Sequence, residues 1–99
     1  MTIAELKYKI LKLSADKGIS LKFSLEFDKQ LKKIADNNTK IKIYKHILKI
    51  IENPDVGKFM RYSRKGEQEN YLDSFRLYYK YYKDEKILRF IEFSHKDEQ

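Results

Sequence analysis

The chain has 99 residues and no cysteine, so it forms a single domain, residues 1–99, without disulfide bonds or thiolate metal sites. Lysine and arginine number 22 against 15 aspartates and glutamates, giving a net charge of +7 that favours a polyanionic partner; a lysine-rich proteome is the alternative explanation. No apolar run approaches the roughly 20 residues of a membrane span and no signal peptide is recognisable, so we expect a cytoplasmic protein without a membrane partner.

The first half of the chain predicts three helices and one strand. Thr2 and Glu5 form a capping box for a helix over about 3–16, and Gly18 suits its C-cap. The alternation from Leu21 to Glu26 predicts a strand, and apolar spacing predicts a helix over 28–36. Thr39 is the expected cap of a third helix, which ends at Asn53-Pro54 and buries a run of isoleucines: Ile43, Ile47, Ile50 and Ile51.

The second half predicts strands joined by short connections. A strand over 58–65 turns at Gly66 and returns over 69–72, and strands 75–82 and 87–94 follow, joined by a charged turn. Such neighbours pair antiparallel. The sequence therefore predicts an α+β fold: a small twisted sheet of about four strands, mainly antiparallel, with an αα-hairpin on one face and an extra N-terminal helix.

The four arginines of the chain all lie after residue 60: Arg61, Arg64, Arg76 and Arg89. The planar guanidinium fork suits phosphate in a way that lysine does not, so this segment is a candidate phosphate site. Residues 58–65 carry four positive charges and no negative one, interleaved with aromatic rings, an arrangement able to bind phosphates and stack bases. An exposed hairpin with solvated charges is the simpler alternative.

Arg76 and His95 are the candidate catalytic residues, one near the start of a strand and the other at the end of its predicted neighbour. Arg76 points away from the apolar stripe of its strand, free to bind phosphate or to pair with Glu92. His95 can transfer protons near neutral pH, although an ordinary exposed histidine fits the pattern equally well. With Lys58 and Arg61 or Arg64, these residues suit metal-independent RNA cleavage through attack of the ribose 2′-hydroxyl.

Other chemistry finds little support. The glycines are too scattered for a phosphate-binding loop, and two histidines without cysteine do not make a transition-metal site, so we expect no cofactor or metal. His46 lies inside the third predicted helix, where a surface or half-buried structural histidine is expected.

From Leu21 to His95 the chain resembles the RelE/ParE superfamily of toxins from type II toxin–antitoxin systems. The matching pieces are LKFSLEF, the helical hairpin ending in IIENP, the strand SFRLYYKYY, and a last strand closing on FSHKDEQ. Residues 1–18 form a helical extension that many members of the superfamily lack.

The resemblance implies a function and residue roles. In the ribosome-dependent mRNA interferase branch, the arginine at the position of Arg76 stabilises the transition state. In members resembling YafQ and YoeB, a histidine at the position of His95 acts as general acid or base. Basic residues before that strand bind the RNA backbone, here Lys58, Arg61, Arg64 and Lys65, with Lys96 a further candidate. The expected partners are mRNA on the ribosome and an antitoxin, small and acidic, encoded beside the toxin. The alternatives are a ParE-like inhibitor of DNA gyrase without catalysis and an inactive RNA-binding or antitoxin-binding module.

Overall fold

The computed structural model describes residues 1–95, except the side chain of Ser63, and confirms the α+β class. Lys96 lies outside the described residues. The elements in chain order are α1 Ile3–Lys17, β1 Ser20–Phe23, α2 Leu25–Lys33, α3 Asn37–Glu52, β2 Lys58–Phe59, a 3₁₀ turn Tyr62–Arg64, β3 Gln68–Leu72, β4 Phe75–Tyr82 and β5 Ile87–His95. Among these helices none has the length and apolar character needed to cross a membrane.

The five strands form one sheet in the order β1-β5-β4-β3-β2, one strand more than expected. β1 pairs parallel with β5, and the other three pairs are antiparallel. All three helices pack on one face, where they bury the apolar side of β4 and β5: Leu77, Tyr79, Leu88, Phe90 and Phe93. We call this face the helix side and the opposite one the open face.

The N-terminal helix packs on the domain itself. Thr2 and Glu5 make the predicted capping box, and Gly18 ends α1 in the left-handed conformation with φ 69°. This helix lies against α3 and buries its residues Leu6 and Ile10. The sequence prediction for α1 is therefore confirmed to within one residue at its end.

Two helix starts differ from the prediction. The alternating pattern predicted a strand to Glu26, but the Ser24 hydroxyl accepts a hydrogen bond from Phe27 N at 3.0 Å, so α2 begins at Leu25. Leu25 is 71% exposed, so its place in the alternation did not reflect burial. Thr39 is not the cap of α3, because the Asp36 carboxylate accepts from the backbone of Asn38 and Thr39, and the helix begins at Asn37.

The predicted strand over 58–65 is much shorter in the structure. Only Lys58–Phe59 is extended and paired, with Glu69 and Gln68. Tyr62 has a positive φ of 61°, which starts the 3₁₀ turn and takes the chain out of the sheet. The basic segment is therefore a folded loop beside the sheet edge.

His46 is buried, with 1% of its surface exposed, and is not the surface or half-buried residue expected. Its Nε2 lies 2.6 Å from Asn70 Oδ1, and since that oxygen only accepts, Nε2 carries the proton. Nδ1 is buried without a hydrogen-bond partner in the described part of the chain. Burial lowers the pKa of His46, opposed by the bond to Asn70, so the imidazole is a neutral link between α3 and β3.

Candidate functional site

The open face carries its polar side chains in rows, because residues paired across strands project to the same side. One row crosses four strands and consists of Lys58, Glu69, Tyr78 and Glu92. The next row consists of Tyr71, Arg76 and Ser94. These two rows bring together charged residues that are far apart in the sequence, and they form the candidate site.

Arg76 lies on the central strand β4, near the end of this face where β4 begins. Its guanidinium stacks on the Tyr71 ring at 4.7 Å, and Nη1 lies 3.9 Å from Glu69 Oε2. Its Nε is buried without a hydrogen-bond partner in residues 1–95. Desolvation alone would lower the pKa of Arg76, but Tyr78, Tyr71 and Glu69 together raise it. The side chain is thus a cation stacked on Tyr71, and its Nε–H is shielded from solvent.

Arg64 reaches the same face from the 3₁₀ turn. Its guanidinium stacks over the Tyr78 ring at 3.9 Å, donates to Glu67 Oε1 at 2.6 Å and pairs with Glu92. Desolvation opposes the charge, but the two glutamates outweigh it and raise the pKa of Arg64. Glu92 therefore binds Arg64, and the predicted alternative that it pairs with Arg76 is wrong.

A cavity of about 400 Å³ is lined by Lys58, Arg61 and Glu69 among others, and Glu69 links it to Arg76. Lys58 and Arg61 are exposed, whereas Glu69 has only 8% of its surface exposed. Lys65 is exposed at the end of the turn and is not among the residues that line this cavity. Of the four predicted RNA contacts, Lys58 and Arg61 thus border the cavity and form no ion pair within residues 1–95, while Arg64 is already paired.

Glu69 is the residue that sequence reasoning missed. Within residues 1–95 its carboxylate is the ion-pair partner of the Arg76 guanidinium, and Glu69 also lines the cavity. Burial raises the pKa of Tyr71, and the interaction of its hydroxyl with Glu69 raises it further. Only the β3–β4 register reveals this placement, and the register is not visible in the sequence.

A row of three like charges follows further along the open face. Lys22 on β1 is paired with Arg89 on β5, which is paired with Lys80 on β4. Like charges directly opposite in a sheet are destabilising, so this row favours an anion above it. The sequence pattern of a single strand does not predict this row. The row forms only because β1 pairs with β5 at the edge of the sheet.

His95 and Arg76 project from opposite faces. Arg76 is paired with Ser94, while His95 is paired with Phe75 and contacts that ring edge-on at 5.2 Å. Phe75 packs against the core on the helix side. The structure therefore brings the two predicted catalytic residues onto neighbouring strands without directing their side chains to a common space.

A buried hydrogen-bond network holds the loop that leads into β2. The Tyr79 hydroxyl donates to Pro54 O and accepts from Gly57 N, both at 2.8 Å. Gln68 Nε2 adds bonds to Pro54 O and Gly57 O at 3.1 and 3.2 Å. Because Lys58 follows Gly57 directly, this network fixes where Lys58 enters the site.

Metal-ligating clusters of His, Asp or Glu are absent from the described residues. What the open face offers is fixed cations, a shielded carboxylate and stacked tyrosines. That set can hold a phosphodiester, stabilise negative charge on its oxygens and accept a proton next to it.

The fold matches solved structures of RelE toxins, although no protein-family model and no curated protein matches the sequence. In the RelBE2 toxin–antitoxin complex of Mycobacterium tuberculosis the match has a TM-score of 0.70 at 16% identity, covering 78% of this chain and 96% of that one. In the intact E. coli RelBE complex the TM-score is 0.64 at 16% identity, covering 78% and 95%. The isolated E. coli RelE toxin gives 0.64 at 16% identity, covering 78% and 83%. The chain therefore has the RelE-like toxin fold.

Proposed function

We propose that the chain is the toxin of a type II toxin–antitoxin system and that it cleaves mRNA on the ribosome. The observation that carries the proposal is a RelE-like toxin fold whose open face holds a charged Arg76, stacked on Tyr71 and 3.9 Å from Glu69. The neighbouring cavity, bordered by Lys58 and Arg61, has room for a phosphodiester. A gyrase-binding protein would have no need of such an arrangement.

In this proposal Arg76 stabilises the charge that develops on the phosphorane when the ribose 2′-oxygen attacks phosphorus. Glu69, 3.9 Å from Arg76, accepts the 2′-hydroxyl proton. The bond from phosphorus to the 5′-oxygen breaks, and that oxygen takes a proton from water or an adjacent ammonium group. The products are a 2′,3′-cyclic phosphate and a 5′-hydroxyl end.

The basic row Lys22, Arg89 and Lys80 extends this face away from Arg76 and is assigned to backbone phosphates of the bound RNA. Lys58 and Arg61 bind the phosphates next to the cleaved bond. Arg64 takes part only after Glu67 or Glu92 releases it. Lys65 and Lys96 remain predicted RNA contacts without an assigned phosphate.

Proton transfer by His95 is a separate proposal. The position of His95 on the helix side favours Glu69 as the proton acceptor at Arg76. If His95 does transfer protons, His95→Ala should abolish cleavage while leaving RNA binding intact. If Glu69 does so, His95→Ala cleaves normally and Glu69→Gln does not.

The proposed partner of the toxin is an acidic antitoxin. The RelBE2 and E. coli RelBE structures are toxin–antitoxin complexes. A chain with a net charge of +7 is complementary to an acidic protein, which would also neutralise the face that binds RNA.

Brief induction in cells, followed by mapping of transcript 5′ ends and of DNA-break markers, tests the function. We expect cuts in phase with codons in translated messages, lost in Arg76→Ala and Glu69→Gln and retained in an exposed control such as Lys9→Ala. Arg76→Lys separates charge from the guanidinium fork, and thermal unfolding of each variant confirms folding. Intact mRNA with an SOS response would instead identify a gyrase inhibitor, and normal growth at good expression an inactive module.

A further inference from the structure

An apolar groove lies on the helix side, away from the candidate site. We call it the α1–α2 groove; its apolar lining comes from both helices, β1 and α3: Leu11, Leu21, Phe23, Leu31 and Tyr44. Leu11 is 66% exposed and Phe23 38%, so large apolar side chains face solvent together. A concave apolar surface of this kind can receive the apolar side chains of a partner segment.

The groove has a basic end. Lys7, Lys32 and Lys40 surround an adjoining depression that shares Leu31 and Tyr44 with the groove, and Asp28 is the one carboxylate there. The Lys7 ammonium lies 5.6 Å from the centre of the Tyr44 ring, which holds it at the boundary between the apolar and charged parts. Apolar floor and cationic rim thus form one continuous surface.

The size and charge of this surface select its occupant. Its volume of about 260 Å³ is below the range usual for small-molecule pockets, yet it accommodates apolar side chains. A second copy of the chain would bring its own excess positive charge against the lysines, which disfavours self-association here. A segment with apolar residues on one side and carboxylates on the other satisfies both parts.

We propose that the α1–α2 groove binds an acidic amphipathic helix of a protein partner, with apolar residues between α1 and α2 and carboxylates on Lys7, Lys32 and Lys40. Leucines at i, i+3, i+4 and i+7 suit a groove walled by two helices. Identifying that partner as the neutralising antitoxin rests on the proposed function. The surface itself does not, because it lies on the opposite side of the sheet from Arg76.

The test uses the full chain, labelled with ¹⁵N, and a synthetic amphipathic helix with leucines at those positions and glutamates elsewhere. We expect binding with a Kd of about 0.1 mM or tighter and amide shifts centred on Leu11, Phe23 and Leu31. The same peptide with lysines in place of the glutamates should not bind. Leu11→Glu, at an exposed position, should abolish the shifts without unfolding the protein.

Charge reversal supplies the matched comparison. Lys7→Glu/Lys32→Glu should weaken the glutamate peptide at least about 10-fold, while Lys9→Glu/Lys33→Glu, with the same change of net charge outside the groove, should weaken it less than about 3-fold. Equal effects of the two double variants would overturn the proposal. So would absence of binding at about 1 mM peptide, shifts centred on the open face, or shifts that depend on protein concentration alone. None of these readouts depends on RNA cleavage, so the groove and the proposed activity can fail independently.

Discussion

Replacing Tyr79 by phenylalanine should destabilise the fold through one buried donor. The side chain is fully buried, and its hydroxyl bonds to Pro54 O and Gly57 N at 2.8 Å. In the variant Pro54 O keeps its bond from Gln68, but the buried Gly57 N–H loses its acceptor. An unsatisfied buried donor costs about 1–3 kcal/mol, so we expect a loss of about 2 kcal/mol in the free energy of unfolding. For a domain of this size that is a fall of about 8–16 °C in Tm.

Thermal and urea unfolding of the purified chain measure this loss, with Tyr62→Phe as the control, since Tyr62 is 90% exposed. Alkaline pH provides a second readout. Burial raises the pKa of Tyr79 from 10.0 to about 12. The unfolded chain therefore releases this proton first, and the advantage of wild type over Tyr79→Phe should decline as pH rises from 10 towards 12.

A variant within about 0.5 kcal/mol of wild type at neutral pH would refute the reasoning. It would mean that the 53–57 loop finds another acceptor for Gly57, and that Tyr79 does not fix the entry of Lys58 into the site. A full loss of stability together with unchanged RNA cleavage would confirm the network and separate it from function.

Three further predictions use other parts of the chain. Gly57→Ala should be strongly destabilising, because its Cβ would lie 2.5 Å from the Tyr79 hydroxyl oxygen. In Gly57→Ala/Tyr79→Phe the losses in the free energy of unfolding from the two single variants should not add, which unfolding titrations measure. Burial lowers the pKa of His46 below its ordinary 6.5, so wild type should lose stability as pH falls below about 6.5, and His46→Gln should lack that part of the loss in urea titrations from pH 7 to 5. Glu92→Gln removes one partner of Arg64 and should tighten binding of a short single-stranded RNA by up to about 5-fold at low salt, measured by fluorescence anisotropy; weaker binding would contradict a role of the open face.

Features set by near neighbours in the chain were predictable. The capping box at Thr2 and the glycine at position 18 bounded α1, and the isoleucine spacing identified the buried side of α3. The alternation on β4 correctly assigned Leu77 and Tyr79 to one face and Arg76 to the other. Each of these patterns repeats within one helical turn or one strand, so no knowledge of distant contacts was needed.

The start of α2 shows where local pattern misleads. Leu25 continues the alternation of β1, but the same sequence is equally compatible with a helix N-cap at Ser24. Ser24 also donates its hydroxyl to Ile91 O on β5, so the choice depends on a strand far away in the sequence. Tertiary context decided between two local structures of similar propensity.

Glu69 and the basic row illustrate a second limit. Their significance comes from what lies beside them on other strands: Glu69 beside Arg76, and Lys22 beside Arg89. Charge counting found the excess of positive residues but placed it in the 58–65 segment. Strand order and register bring three more cations together on β1, β5 and β4: Lys22, Arg89 and Lys80.

The separation of Arg76 and His95 follows from one irregularity. From Tyr82 to Tyr79, β4 pairs with β5 in one register, but Tyr78 is paired with Glu92, which leaves Ile91 as an extra residue. A bulge of this kind exchanges the faces of every later residue on its strand. In an unbroken ladder Phe93 and His95 would share a face with Arg76; the bulge turns them to the helix side and leaves Glu92 and Ser94 on the open face. The buried residues of β5 carry the trace of this shift, since Leu88 and Phe90 are two apart while Phe90 and Phe93 are three apart. The distance between strand ends therefore cannot assign a catalytic pair, because a single inserted residue decides which groups share the site.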